Sequence, residues 1–372
     1  MKQQRIEKAV GEETKLKKKQ KRAVPSATVP QKLQTPLFKR PFPAGYFDHP
    51  LKVVDLFACL GGVSCGASQA GHEIVLGVDV DPIALSIFKA NHTSAQTLQL
   101  ELGPATEDEL LAKILEVVGK TDNFHLHGSP PCTLISKAKS MRGQRREDGL
   151  EGEAATAGLV IWFLRFVRRC LNECANCVSW SMEEVGNKSL CAELAKFKSA
   201  AKSWFDFEVV NFVEFGVPQT RSRLIAGSPF LIDRARFDRA LRVSKPVSVS
   251  EALQTTIPED AVYLRGQWHR TADDTATEEA ANGEFLNAEA EKNCRTLDEP
   301  AFTLLSGARL QWWNSRYKNV RDLSIDECLS LQTFPPTYNF PPTLTLKEKR
   351  KAVGNAVPPL FFRKLLSQNF QT

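Results

Sequence analysis

The stretch Gly128-Ser129-Pro130-Pro131-Cys132 sets a cysteine directly behind two prolines. The residues before it, His125-Leu126-His127, alternate polar and apolar as a strand does. Proline fixes φ and has no N–H to donate, so Pro130 and Pro131 end that strand and stiffen the turn after it. An unpaired thiol usually hides in a core. One held rigidly at a strand tip is placed to react. The reacting form is the thiolate, only about 3% of a thiol of ordinary pKa at pH 7. A nucleophilic Cys132 therefore needs a nearby cation or a concerted proton transfer.

Three further groups carry chemistry. Asp55-Leu56-Phe57-Ala58-Cys59-Leu60-Gly61-Gly62 reads as a buried strand entering a glycine turn, and Asp79 ends the next strand in Val78-Asp79-Val80-Asp81. A glycine turn lets a nucleotide-like ligand approach the backbone, and an acid about twenty residues on can hold ribose hydroxyls. An adenosine-type ligand follows from that pair. Glu183 and Glu184 close the strand-like Ser181-Met182-Glu183-Glu184, on the sheet edge where Cys132 lies. Acids at such strand ends face the ligand crevice. Arg221 and Arg223 alternate in Gln219-Thr220-Arg221-Ser222-Arg223, which predicts both on one face of a strand. Buried arginines need anions, and Glu183 or a substrate can supply them. Plain solvation of the acids and structural ion pairing of the arginines are the other readings of these two groups.

The elements around these residues alternate. Strands are predicted in Leu51–Gly62 ahead of its glycine turn, at His72–Pro82, at Asn123–Ser129 and from Cys177 to the acids Glu183 and Glu184, and helices at 63–71, 82–92 and 106–120, the last with Thr106 as its N-cap. A long helix is predicted at roughly Ala154–Cys177, and two strands joined by a turn at 207–229. Alternation of this kind predicts an α/β fold, a largely parallel sheet with helices on both faces. Between Cys132 and that long helix lies a polar, basic loop with Arg142, Arg145 and Arg146. Cys170, Cys174 and Cys177 share a helical face and match no common zinc spacing, so no metal is expected. His125 and His127 read as sheet residues.

The net charge of +6 hides an asymmetry. Residues 1–40 hold twelve Lys/Arg and three Glu, a balance of +9, so the rest of the chain is acidic by 3. The tail is densest at Lys15–Arg22; such runs are solvated and attract phosphate or serve as a nuclear address. No run of eighteen apolar residues predicts a membrane span. The N-terminus lacks the apolar core of a secretory signal. Nine unevenly spaced cysteines in such a chain read as reduced, intracellular thiols. The expected location is intracellular, nuclear in a eukaryote and otherwise cytoplasmic.

Taken in order, these pieces resemble the cytosine-C5 DNA methyltransferase family over residues 51–230 and 294–363. Asp55–Gly62 is similar to its first motif, Val78–Pro82 to its second and Gly128–Cys132 to its nucleophile motif. Met182–Val185 resembles its Glu-Asn-Val motif, Gln219–Arg223 its Gln-x-Arg-x-Arg motif, and Val353–Pro359 its last motif. The resemblance implies a Rossmann-like methyltransferase sheet that binds S-adenosylmethionine. It implies cofactor contacts from Asp55, Phe57 (stacked on the adenine), Gly61, Gly62, Asp79 (on the ribose), Val80, Glu101, Pro130, Asn355 and Val357. It implies catalytic roles for Cys132, Glu183, Arg221 and Arg223, and substrate contacts from Ser136, Arg142, Arg145 and Gln219. Cys59, Thr133 and Glu184 depart from the family's usual glycine, glutamine and asparagine.

The reaction so implied adds the Cys132 thiolate to carbon 6 of a cytosine flipped out of double-stranded DNA. Glu183 holds ring nitrogen 3 and supplies a proton, Arg223 helps hold the base, and carbon 5 takes the methyl group. The expected organisation is a basic tail (1–45), the first part of the catalytic domain (46–230), a small target-recognition region (231–293) and a return segment that completes the catalytic domain (294–372). The insert is short, which leaves a tRNA cytosine-C5 methyltransferase open as one alternative; a second is a catalytically silent nucleic-acid-binding protein, against which Cys132, Glu183 and Arg223 together argue.

Overall fold

Val53, Val54 and Leu56 are fully shielded from solvent, on both faces of one short strand. A strand buried on both faces must lie inside a covered sheet. The computed structural model describes residues 49–131, 149–200, 204–254, 256–267, 294–306, 309–314 and 319–367. Among these, β1 (Lys52–Leu56), β2 (Glu73–Asp79), β3 (Gln96–Gln99), β4 (Phe124–Gly128), β5 (Cys177–Glu184) and β6 (Asp206–Asn211) belong to a seven-stranded sheet. The short β7 (Gln219–Thr220) stands apart, and β8 (Ser222–Gly227) supplies the seventh strand. The order is β3-β2-β1-β4-β5-β8-β6, with β8 antiparallel to both its neighbours and the β3-to-β5 pairs parallel.

One face of the sheet is covered by the helices Glu107–Val118, Gly149–Glu173 and Lys188–Ala200, through Leu110, Ile114, Phe163, Phe166 and Leu194. The other is covered by Gly62–Gln69, Pro229–Phe237 and Pro359–Leu366, through Val63, Ala67, Leu231, Ile232, Phe361 and Phe362. A second sheet of four strands, β10-β9-β12-β13, is built from β9 (Ala261–Gln267), β10 (Cys294–Thr296), β12 (Arg309–Asn314) and β13 (Asn319–Asp322). Its buried Leu264, Leu310 and Trp312 join a third cluster with Leu60, Ile87, Leu329 and Val353. The remaining strand, β11 (Ala301–Phe302), pairs in parallel with β7.

The structure differs from the sequence expectation at several points. The long helix spans Gly149–Glu173, and Cys177 begins β5 instead of ending that helix. Thr106 sits at the N-cap position of its helix, but its hydroxyl donates to the Glu101 carbonyl and caps nothing. The segment from Gln219 to Arg223 is not one strand. It breaks at Arg221, because Gln219–Thr220 pairs with β11 while Ser222 onward pairs with β6. Residues 231–237 continue a core helix whose Leu231 and Ile232 are fully buried, and the second sheet draws strands from both sides of residue 293.

Candidate active site

β1 and β4 are neighbours in the sheet, and the chain leaves them toward opposite edges: β2 and β3 lie beyond β1, β5 beyond β4. Such a switch point opens a crevice at the carboxyl ends of the two strands. The turn after β1 is Phe57–Gly61, and the turn after β4 is Ser129-Pro130-Pro131. Phe57 and Cys59 take φ of 56° and 50°, and Gly61 takes φ of 92°. The left-handed region strains a residue with a side chain, so the turn holds both Phe57 and Cys59 at a cost. Gly62 is required for space: a Cβ there would lie 2.0 Å from the Val357 carbonyl oxygen. That close approach seats the last motif on the first.

The acids of this loop are held by backbone donors. Asp79 accepts from the N–H of Cys59 at 2.8 Å and from the N–H of Asp81 at 2.9 Å, one on each oxygen. Its carboxylate therefore braces the loop and keeps a lone pair on each oxygen for a ligand. Asp55 is buried and accepts from the Ser64 hydroxyl at 2.6 Å and the Ser64 N–H at 3.3 Å. Burial pushes the Asp55 carboxyl up to about 7, and burial beside Asp79 pushes the Cys59 thiol up to about 12, so Cys59 stays an inert thiol. Val80 next to Asp79 is 58% exposed, an apolar surface at the mouth of the crevice. Half-buried Phe57 packs edge-on to Trp162, Glu101 is exposed and Pro130 is buried. Asn355, exposed, ends the helix Leu346–Asn355, and Val357 is buried against Gly62. These residues fit an adenosine-type cofactor: a backbone turn, an acid with spare acceptor capacity and an open apolar face.

At the end of β5, Glu183 Oε1 lies 2.9 Å from Arg223 Nε on antiparallel β8. Both side chains are about nine-tenths buried. Glu183 Oε1 is buried and has no hydrogen-bond partner among the described residues. In register, Glu183 faces Ile225, and Arg223 lies two residues away on the same face. Glu184 faces Leu224 and leaves the strand on the opposite side. Burial, reinforced by the neighbouring Glu183, raises its carboxyl to about 8, and neither oxygen has a hydrogen-bond partner among the described residues.

Arg221 and Gln219 hold the return segment. Arg221 donates to the carbonyls of Leu304 and Ala356 at 2.9 and 3.0 Å. Gln219, fully buried, donates to Leu331 and Gln332 and accepts from the Leu304 N–H. The strand break at Arg221 thus separates the two arginines expected on one face: Arg223 goes to Glu183 and Arg221 to the chain around Val357. Cys132, Ser136, Arg142 and Arg145 lie outside the described residues, as does the basic tail. Among the described residues, no group of three or more His, Cys, Asp or Glu is arranged to hold a metal ion, and no helix is long and apolar enough to cross a membrane.

A buried polar set lies beside these motifs and shows more than sheet placement. His125 and His127 on β4 stand in register with Ser179 and Ser181 on β5, and all four are fully buried and hydrogen-bonded to one another. The signal was present as two polar alternations, His-Leu-His-Gly-Ser and Ser-Trp-Ser, on adjacent strands.

The chain is similar to known proteins over most of its length. The family model described as C-5 cytosine-specific DNA methylase matches residues 51–169 and 238–371. The chain is 26% identical over 341 residues to the type II methyltransferase M.FnuDI of Fusobacterium nucleatum, covering 83% of this chain and 91% of that protein. It is 25% identical over 333 residues to the type II methyltransferase M.PspPI of a Psychrobacter species, covering 82% and 76%. Among solved structures, the Dnmt2 methyltransferase of S. pombe superposes with a TM-score of 0.56 at 14% identity, over 85% of this chain and 97% of that one. A DNMT2 variant from Spodoptera frugiperda gives 0.51 at 17% identity, over 86% and 99%. At those identities the structures speak to the fold, a Rossmann-like methyltransferase sheet. The chain belongs to the C-5 cytosine-specific DNA methylases, enzymes that transfer a methyl group from S-adenosylmethionine to carbon 5 of cytosine in DNA.

Proposed function

We propose that this chain methylates a cytosine flipped out of a DNA duplex, through a covalent adduct between Cys132 and carbon 6 of the ring. The observation that carries this reading is the Glu183–Arg223 pair, buried at the end of β5 on the crevice edge, with Glu183 Oε1 lacking a hydrogen-bond partner among the described residues. A base inserted there meets an acceptor or acid for its ring nitrogen 3 and a guanidinium for the charge that develops on the ring. Carbon 5 of cytosine is a poor nucleophile. Bond formation between the Cys132 sulfur and carbon 6, with protonation of nitrogen 3 by Glu183, moves the ring's electrons to carbon 5. S-adenosylmethionine, when bound, supplies an electrophilic methyl group. Loss of the carbon 5 proton, elimination of the cysteine as thiolate and return of the nitrogen 3 proton to Glu183 then restore the aromatic ring and free the enzyme.

The chain's own residues position this chemistry. Asp79, Val80, Phe57 and the Gly61-Gly62 turn form the cofactor end of the crevice, and Pro130-Pro131 stiffens the approach to Cys132. Ser136, Arg142 and Arg145, in the polar stretch after Cys132, are the substrate contacts of this reading. Reaching carbon 6 requires extrusion of the base, at a cost of a few kcal/mol of unstacking. The four-stranded second sheet, which joins residues 261–267 to 294–322, supports a target-recognition region that continues past residue 293. The basic tail adds sequence-independent attraction to phosphate, and the location is wherever the cell keeps its DNA.

The reading is tested with methyl-labelled S-adenosylmethionine, unmethylated genomic DNA and bulk tRNA in parallel. Label in DNA, recovered as 5-methylcytosine, is the expected result. Label confined to tRNA moves the chain to an RNA substrate, and label in neither contradicts the assignment.

A further inference from the structure

One buried hydrogen-bond chain crosses the middle of the sheet and has no part in the chemistry above. Ser179 Oγ is 2.8 Å from His125 Nδ1, and His125 Nε2 is 2.8 Å from Ser181 Oγ. Ser181 Oγ is 2.8 Å from His127 Nδ1, and His127 Nε2 is 2.8 Å from Ser129 Oγ. The first four residues are fully buried; Ser129, at the end, is partly open. His127 is also held edge-on by Phe362 at 4.9 Å between ring centres. The chain lies on the face of β5 that carries Glu183, and the β4–β5 register, extended one residue past Gly128 and Met182, sets Ser129 beside Glu183. Ser129 is the first residue of the turn that leads into Cys132.

The chemistry of the links restricts the chain to three proton arrangements. Burial lowers the pKa of both imidazoles, His127 to about 3, so both are neutral. A neutral imidazole donates from one nitrogen and accepts at the other. The Ser181 hydroxyl has one proton and two acceptor lone pairs and takes part in two of the bonds, so it either donates in one and accepts in the other or accepts in both. All four bonds are therefore formed together in three arrangements: every donor pointing one way along the chain, every donor pointing the other way, or both imidazoles donating to Ser181. In one of these His127 Nε2–H donates to Ser129 Oγ and the Ser129 proton points outward; in the other two Ser129 donates into His127. The hydroxyl at the base of the nucleophile turn is thus fixed from the sheet interior.

We infer that His127 is a positioning residue, acting through the Ser129 hydroxyl to hold the Ser129-Pro130-Pro131 turn in register for reaction. The inference rests on the proposed role of Cys132. A shift of about 1 Å at a reacting centre can cost on the order of 100-fold in rate, so a partial loosening of this turn is expected to lower kcat by about 10-fold. Residues coupled in one chain lose their contributions together, not independently.

The experiment measures kcat, KM for genomic DNA and KM for S-adenosylmethionine in the full-length Ser129→Ala, Ser129→Thr, Ser181→Ala and Ser129→Ala/Ser181→Ala proteins, with thermal melting of each. The expected result is a kcat loss in both single alanine variants with both KM values nearly unchanged. The threonine variant, which keeps the hydroxyl, retains most of the wild-type kcat, and the double variant loses no more than Ser129→Ala alone. Unchanged kcat in Ser129→Ala, equal losses for alanine and threonine, or losses that multiply in the double variant each overturn the inference. If Ser181→Ala does not fold, the Ser129 alanine–threonine pair decides, because Ser129 is at the partly open end. Cys132→Ser is assayed beside them. Activity in that variant defeats the covalent reading itself, whereas a dead Cys132→Ser with an unaffected Ser129→Ala defeats only the positioning role.

Discussion

Arg223 reaches Glu183 across an antiparallel strand pair, Nε to Oε1 at 2.9 Å, while Arg221 two residues earlier turns away to the carbonyls of Leu304 and Ala356. Two arginines of one short motif therefore do different work, one beside the proposed base site and one in the scaffold beneath the cofactor loop.

The two neighbouring acids separate in the same way. Glu183→Gln removes the proposed proton donor and is expected to lower turnover by about 100-fold or more. Glu184→Gln is expected to cost far less, because that side chain leaves the strand on the other side and its carboxyl, raised to about 8, is already neutral at pH 7. Steady-state assays of the two variants check this, and a reversed order of losses contradicts the placement of the catalytic acid.

Glu184 also predicts a pH effect. Its folded pKa lies above the unfolded carboxylate value, so its contribution to stability is fully present below about 4.5 and is lost as pH rises through about 8. The Glu184→Gln protein should therefore lose less stability than wild type between those limits. Denaturant unfolding at a series of pH values measures the difference, and parallel curves contradict it.

The glycine turn gives a paired prediction. Cys59→Gly relieves the strain of a side chain at φ 50° but frees the unfolded chain, and these opposing terms of about 1 kcal/mol nearly cancel. Gly62→Ala drives a Cβ into the Val357 carbonyl and is expected to cost on the order of 2 kcal/mol or more and to weaken cofactor binding. Thermal melting with and without S-adenosylmethionine compares them; equal behaviour contradicts the fit.

Arg221→Ala leaves the buried Leu304 carbonyl without its donor and the Ala356 carbonyl with only a long bond from Gln332, at 3.4 Å. At about 1–3 kcal/mol for each unsatisfied group, the loss should be a few kcal/mol of stability. Arg223→Ala should act mainly on turnover. The contrast is read from unfolding curves beside kcat, and a stable, merely slow Arg221→Ala protein would reverse the division of labour.

Much of this was legible in the sequence because the chemistry sits at element ends. The Asp55–Gly62 turn, Asp79 and Glu183 lie where strand periodicity stops, and the structure puts them on one edge of one sheet. What the pattern could not convey was pairing between distant segments. Nothing local marks Gln219–Thr220 as the partner of Ala301–Phe302, so the break at Arg221 and the separate fates of the two arginines were invisible. The same holds for the helix Pro229–Phe237, whose charged residues hide a core face, and for β9, which finds its partner β12 far along the chain. His125 and His127 looked like ordinary sheet residues because their partners lie more than fifty positions away on β5.

The tail supplies a prediction independent of the fold. Residues 1–40 carry an excess charge of +9, and each phosphate neutralised contributes about 0.9 to the salt slope of binding. Deleting them should leave turnover largely intact and make the salt dependence of binding to a random duplex shallower. Identical slopes would mean that the tail does not touch DNA.

The central claim is the covalent bond from Cys132, and trapping measures it most directly. Fluorine at carbon 5 leaves no proton to remove after methylation, so the adduct cannot resolve. The protein is incubated with S-adenosylmethionine and a random-sequence duplex synthesised with 5-fluorocytosine in place of cytosine, then digested and examined by mass spectrometry. The account predicts a stable protein–DNA species with the nucleotide on the peptide containing Cys132, and none with Cys132→Ser. A trapped species on another residue, or methyl transfer by Cys132→Ser at a near-normal rate, would contradict it.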